Sequence, residues 1–200
     1  MPDIIVHSSP TDPLAQPLVE DLIREYDRRY GTLFSQGGAR DELYRYPPET
    51  FAAPHGAFLL LVRAGRAVAG GAFMRHDENT AELKRIWTDA ALRRQGLAVR
   101  IVRALENHAA DLGYTRLYLT TGFRQPEAQA LYLGMGYRPL FDPGIPAELY
   151  GTLPFEKHIG RMAGRPGSAP LRQPSASPEE AIAAVAARKA APALHAGAKP

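Results

Sequence analysis

Glu82-Leu83-Lys84-Arg85-Ile86-Trp87-Thr88-Asp89, followed by Arg93-Arg94-Gln95-Gly96-Leu97-Ala98, reads as a strand that passes through a basic, glycine-bearing turn into a helix. The first N–H groups of a helix lack intrahelical partners and point outward, so such a junction can hold an anion, and a diphosphate is the one expected here. The local pattern also serves purely structural turns. A lone glycine excludes the dinucleotide fingerprint, which needs a second glycine two residues on. No Gly-Lys-Ser/Thr follows, which excludes a Walker loop.

The neighbouring segments extend the pattern in both directions. Ala57 to Val62 is a dense apolar strand, and Ala67 to Arg75 and Ala81 to Thr88 follow it across short polar turns, which predicts an antiparallel meander. Gly70-Gly71 inside the middle strand predicts a bulge or a closely approaching neighbour. After the turn, Ala98, Ile101, Val102, Leu105, Ala109 and Leu112 recur at helical spacing and Gly113 closes the helix. The strand from Arg116 to Thr120 then lies parallel to the one ending at Thr88, because a helix intervenes between them. Pro126 opens a further helix that places Ala128, Leu131, Tyr132 and Met135 on one face, and strands at Tyr137 to Leu140 and Tyr150 to His158 complete the series. Upstream, Asp3 to His7 reads as a strand and Leu14 to Tyr30 as an amphipathic helix stopped by Gly31. Residues 31–56 form a loop with a short helix near Asp41 to Tyr44, whose aromatics Phe34, Tyr44 and Tyr46 are either pocket lining or core edge.

Two motifs carry a resemblance. Arg93-x-x-Gly96-x-Ala98 after a strand resembles the acetyl-CoA motif of the GNAT N-acetyltransferase superfamily, Gln/Arg-x-x-Gly-x-Gly/Ala. Gln125-x-x-Ala128-x-x-Leu131-Tyr132-x-x-x-Gly136-Tyr137 is similar to the second family motif, which opens on Asn. The resemblance is firm over residues 81–140 and extends to about 1–160. It implies an α+β GNAT fold, a mixed central sheet flanked by helices in the order β-α-(α)-β-β-β-α-β-α-β-β, and transfer of acetyl from acetyl-CoA to a primary amine in a ternary complex.

The same resemblance implies roles. The backbone of Ile86, Trp87 and Thr88 would pair with the pantetheine arm, and the N–H groups from Arg94 through Gln95, Gly96, Leu97 and Ala98 to Val99 would surround the diphosphate, with charge added by Arg93 and Arg94. Glu82 occupies the place of a general base, and Tyr132 that of the tyrosine that protonates the departing sulfur. Gln125 stands where the family commonly has Asn, and it can still offer an amide to the cofactor. Strand alternation puts Glu82, Lys84, Ile86 and Thr88 on one face and Leu83, Arg85 and Trp87 on the other. A different class of function, a non-catalytic acyl-CoA-binding sensor or interaction module, predicts cofactor binding without amine-dependent release of CoA.

Composition narrows the field. Two hundred residues, 45% hydrophobic and 22% charged, suit one globular domain. There is no cysteine, which excludes disulfides and a ping-pong route through a thiol. The isoelectric point near 9.3 suggests a basic protein, yet from Arg161 onward six basic side chains face two acidic ones. Of the overall +3, residues 1–160 therefore carry −1. That is not the footprint of a nucleic-acid binder. The lone histidines show no ligand spacing, so no metal is expected. The N-terminus lacks a signal peptide's basic and apolar regions, and no stretch reaches the ~18 apolar residues of a membrane span, so a cytoplasmic location without membrane or nucleic-acid partners is expected. The expected partner is an amine acceptor, a small molecule or a protein amine, with a homodimer left open. Residues 161–200 are rich in Ala, Pro, Gly and Ser and read as a disordered tail following a domain at 1–160, although Ser177-Pro178-Glu179-Glu180 resembles a capping box that starts a short helix up to Lys189.

Overall fold

A computed structural model describes residues 2–190. Seven strands among them form one sheet: β1 (Ile4–His7), β2 (Ala57–Arg63), β3 (Arg66–Arg75), β4 (Thr80–Thr88), β5 (Arg116–Gly122), β6 (Arg138–Pro139) and β7 (Thr152–His158), in the order β1-β2-β3-β4-β5-β7-β6. β1 to β4 pair antiparallel, and β4 and β5 are parallel across the crossover helix, as the intervening helix requires. Helices α1 (Gln16–Tyr30) and α2 (Gly38–Tyr44) cover one face, and α3 (Leu97–Asp111) and α4 (Pro126–Gly134) the other. Each face has its own core. Leu18, Leu22, Phe58, Leu60 and Trp87 pack under α1, while Ile101, Leu105, Leu117, Leu119 and Phe155 pack under α3 and α4.

The sequence predicts a bulge or a closely neighbouring backbone at Gly70-Gly71; the bulge is there, and the nearest neighbours are side chains rather than backbone. A Cβ on Gly70 would come 2.5 Å from Leu18 of α1, and one on Gly71 would come 2.5 Å from Ile86 of β4 and 3.0 Å from Leu105 of α3, so the missing side chains let both helices pack close to the sheet here. The β3–β4 register also slips between Gly70 and Ala72.

The alternation expected along β4 fails at Arg85. Its backbone is left-handed at φ +58°, and three residues of β4 are spanned where β3 spans two. This is a bulge, and it reverses every later side chain. Glu82, Lys84, Arg85 and Trp87 face α1 and α2, with the Arg85 guanidinium 4.3 Å from the Phe51 ring centroid and Trp87 in the α1 core. Leu83 and Ile86 join the α3 core. The sequence carries no glycine at this point to announce the turn.

Pairing of β4 with β5 stops early. Only Thr80, Ala81 and Glu82 have partners, in Arg116, Leu117 and Tyr118. Beyond them the strands diverge, which leaves the Leu83–Thr88 backbone of β4 unpaired on its β5 side.

The segment expected as a disordered tail follows a defined course to Ala190 and corrects that reading. Arg172 N–H donates to the Leu140 carbonyl (2.7 Å), and Ser175 N–H to the Leu149 carbonyl (2.8 Å). The helix anticipated after the capping sequence is α5 (Pro178–Ala190), with Ser177 Oγ accepting from Glu180 N–H. Its composition buries little, but Ala181 and Val185 seat on Gly151, where a Cβ would lie 2.9 Å from Val185. A docking surface made elsewhere in the chain orders a segment that composition alone would leave loose. The part of that expected tail from 191 to 200 lies outside the described residues.

Candidate active site

The turn before α3 leaves main-chain donors open. Arg94 and Gly96 both take left-handed φ, +63° and +73°, and no side chain caps the helix start. Residues 93 to 96 are exposed. A Cβ on Gly96 would meet no protein atom within 4 Å, so glycine is favoured there by backbone conformation and by the open space an oxyanion could enter. Leu97 is buried, so its N–H rather than its side chain is on offer, whereas Ala98 and Val99 are half-buried. Of the neighbouring side chains, Arg93 is tied to Glu25 of α1 (2.7 Å), Gln95 Oε1 accepts from Arg63 (3.3 Å), and Arg94 has no partner among the described residues.

From this turn the unpaired edge of β4 leads inward. Trp87 turns its ring into the α1 core and donates its indole N–H to Asp21 (3.1 Å), so only its backbone faces the slot. Thr88 Oγ1 is buried with no hydrogen-bond partner among the described residues. A free strand edge and an orphaned hydroxyl suit an extended, amide-bearing ligand. Leu83 to Ile86, Thr120, Thr121, Gln125 and Tyr132 bound a small cavity of about 110 Å³ at the inner end of the slot.

Tyr132, on α4, is 6% exposed and packs edge-on to Tyr137, with ring centroids 5.4 Å apart. Burial holds its hydroxyl well above the ordinary tyrosine value, so it remains a proton donor at neutral pH. Gln125, just before α4, spends its side-chain carbonyl on the local turn, accepting from Gly122 N–H (3.0 Å) and the Thr121 hydroxyl (3.2 Å). Only its amide nitrogen is left for a ligand.

Glu82 sits on the opposite side of the sheet from Leu83 and is nearly buried. Lys84 Nζ lies 2.8 Å from one carboxylate oxygen and His76 Nδ1 3.7 Å from the other. Burial alone would raise this carboxyl, but the Lys84 ammonium and His76 more than offset it and hold it below the ordinary range. Burial likewise opposes the Lys84 charge, yet Glu82, with Tyr46 and Glu42, keeps that ammonium above its usual value. The pair is ionised at neutral pH.

Glu82 and Lys84 form the floor of a second cavity of about 740 Å³ that shares Tyr26, Tyr46, Lys84, Thr121 and Gln125 with the small one. Tyr26, Tyr30, Phe34 and Tyr46 give it an aromatic wall, and burial pushes the Tyr26 and Tyr30 hydroxyls up to about 12. Tyr44 points elsewhere and is 61% exposed, so the sequence reading holds for Phe34 and Tyr46 only. The opposite wall consists of Arg172 and residues of α5, which motif spacing did not reveal. The signal available for them was the capping sequence at Ser177. His76, read from sequence as a surface or core residue, belongs to the Glu82 cluster. Among the described residues no His, Asp and Glu are grouped to hold a metal ion, and no helix is long and apolar enough to cross a membrane.

A mixed sheet parted beside an open helix start, with a narrow slot on one side and a roomy cavity on the other, defines an acyltransferase. The chain belongs to the acetyltransferase (GNAT) family, whose pattern it matches over residues 19–137. It is 30% identical over 139 residues to an IAA acetyltransferase of Azospirillum brasilense, an alignment covering 68% of this chain and 86% of that protein. The crystal structure of a putative acyl-CoA N-acyltransferase from Klebsiella pneumoniae superposes with a TM-score of 0.59 at 29% identity, covering 78% of this chain and 97% of the other. PaiA N-acetyltransferase from Thermoplasma acidophilum, solved in complex with coenzyme A, shares the fold with a TM-score of 0.59 at 14% identity, over 80% of this chain and all of that one.

Proposed function

We propose that this acyltransferase moves acetyl from acetyl-CoA to a primary amine by direct attack in a ternary complex, residues 1–160 forming the catalytic domain. The observation that carries the reading is the continuity of three features: open N–H groups at Gly96 to Val99, the unpaired edge of β4, and the Tyr132 hydroxyl at its inner end. The N–H groups hold the diphosphate, with Arg94 adding charge, and the Leu83–Thr88 backbone holds the pantetheine arm as an added strand. That grip aims the thioester at the junction of the two cavities.

The acceptor enters over Glu82, whose ionised carboxylate holds an arriving ammonium and receives its proton directly or through water. The freed nitrogen attacks the thioester carbonyl carbon. A C–N bond forms, the attacking nitrogen gives its second proton to water, and the C–S bond breaks as Tyr132 O–H gives its proton to the departing sulfur; Tyr132 is reprotonated from solvent and Glu82 returns its proton to solvent. The products are an N-acetylated amine and CoA. Because the chain has no cysteine, no acyl-thiol enzyme intervenes.

The test is CoA release from acetyl-CoA across a panel of amines, with calorimetric binding of acetyl-CoA in parallel. Saturable release by an amine, lost in Gly96→Glu, is expected. Tight binding with no release by any amine would favour a sensor of acyl-CoA instead.

A further inference from the structure

The wall contributed by the C-terminal segment carries more positive charge than the cavity neutralises. Lys84 is matched by Glu82 and Lys189 by Glu42 (2.8 Å). Arg172 and Arg188, which line the same cavity, have no carboxylate within ion-pair distance among the described residues. One Arg172 nitrogen is engaged by Thr152, through its carbonyl (2.6 Å) and its hydroxyl (3.0 Å). Tyr118 lies beside the same guanidinium and favours its charge, and Tyr118 is the cross-strand partner of Glu82. Burial first, and then the neighbouring Arg188 charge, hold Arg172 below its ordinary value. Arg172 is half-buried and Arg188 exposed, and two neighbouring like charges without a carboxylate partner favour an anion between them.

α5 is also fastened across the mouth. Besides Lys189 with Glu42, Arg45 donates to the Arg188 carbonyl (3.3 Å), and the Lys189 ammonium lies 5.3 Å from the Phe34 ring centroid. The arginine-bearing strap is thereby joined to the aromatic wall, and the cavity between them is sized for a small molecule.

Building on the function proposed above, we infer that the acceptor is a small amine that also bears an oxyanion, a carboxylate foremost, which Arg172 and Arg188 hold while its amine rests on Glu82. The amino-acid class fits, since Tyr118 neighbours both Glu82, its cross-strand partner, and Arg172, and all line one cavity.

The experiment measures CoA release by the full chain with matched acceptors: amino acids against their primary amides, and O-phosphoethanolamine against ethanolamine. The oxyanion-bearing member should have the higher kcat/KM by about tenfold or more. Whether carboxylates or phosphates gain most identifies the natural source. In R172Q and R188Q the preference should shrink towards one, mainly through KM, with acetyl-CoA affinity unchanged, and R172K should keep part of it. R188Q guards against a folding defect, because Arg188 is exposed and its side chain makes no hydrogen bond among the described residues. Equal or better use of the neutral partners, or a preference untouched in both variants, overturns the inference and leaves the acetyl transfer standing. Should acetyl-CoA fail to bind, or no amine release CoA, it is the transfer reading that falls. The anion site is then judged by calorimetric titration of N-acetylglycine and N-acetyl-phenylalanine into wild type and R172Q. Arginine-dependent uptake supports it, and no uptake overturns it.

Discussion

The two ends of the active site are built on different principles. At the end proposed for the donor, from β4 through the turn at Gly96 into α3, the main chain offers the contacts. The side chains of Leu97 and Trp87 are committed to the cores, and Arg93 is committed to Glu25. At the end proposed for the acceptor the side chains offer them. Tyr26, Tyr30 and Phe34 come from α1 and the loop after it, Glu82 and Lys84 from β4, Tyr118 from β5, and Arg172 and Arg188 from the strap. A backbone site constrains a short contiguous stretch and suits a ligand shared by many enzymes. A side-chain site gathered from distant segments can change residue by residue, and it suits the component that differs between them.

Backbone geometry follows the same division. Of the three non-glycine residues with left-handed φ among the described residues, Ala64, Arg85 and Arg94, two flank the slot beside β4. Such conformations cost about 1–3 kcal/mol and persist where surrounding structure enforces them, commonly at functional sites.

The largest expected effect tests the point where the two ends meet. Tyr132→Phe keeps the ring packing and removes the proton donor, so kcat should fall by about 10²–10⁴ with acetyl-CoA affinity unchanged. A kcat within twofold of wild type would remove Tyr132 from the chemistry. Glu82→Gln should lower kcat by about 10², the smaller end of the range, because a carboxylate held low by Lys84 is a weak base. The same cause fixes the pH behaviour. Glu82 stays ionised below its ordinary value of 4.5, so the acidic loss of kcat/KM attributable to it lies below that pH. The stability supplied by the Glu82–Lys84 pair is full above 4.5 and is lost as pH falls through the lower folded value. An acid limb centred between pH 5 and 7 that survives in a His76→Gln variant would contradict this.

A backbone site should break differently. Gly96→Glu forces a side chain into the left-handed region and brings a carboxylate to the diphosphate, so the Kd for acetyl-CoA should rise at least about tenfold. Arg94→Ala should weaken it only a fewfold, since the main chain supplies most of the contacts. Equal losses in the two variants would abolish the contrast between the ends. The smallest effect is expected at the strap. Val185→Ala removes two buried methyl groups' worth of contact, about 1.5 kcal/mol, and should raise KM for the acceptor while leaving acetyl-CoA affinity alone. Calorimetric melting and initial-rate kinetics read both parts.

These contrasts also explain which features were legible beforehand. The strand–turn–helix, the meander, the Gly70-Gly71 close approach and the position of Tyr132 follow from periodicity and glycine placement within short windows, and the structure agrees. The bulge at Arg85 was not legible. A left-handed arginine is held by the Phe51 ring beneath it and by the Leu43 carbonyl, neither of which is near in sequence. The ordered strap was missed for a related reason. Its poor composition is offset by a seat at Gly151 that exists only once β7 is in place.

The sequence by itself determined the order of elements, the donor turn and the family, because hydrophobic period and left-handed glycine positions are local properties of the chain. Only the tertiary structure decided which residues line the large cavity, because a one-residue bulge reverses every later side chain of β4 and the docked C-terminal segment brings Arg172 and residues of α5 into the same cavity wall as Glu82. Those outcomes depend on packing between segments well separated along the chain, Arg85 with Phe51 and Leu43 and Val185 with Gly151, which no short window of sequence contains.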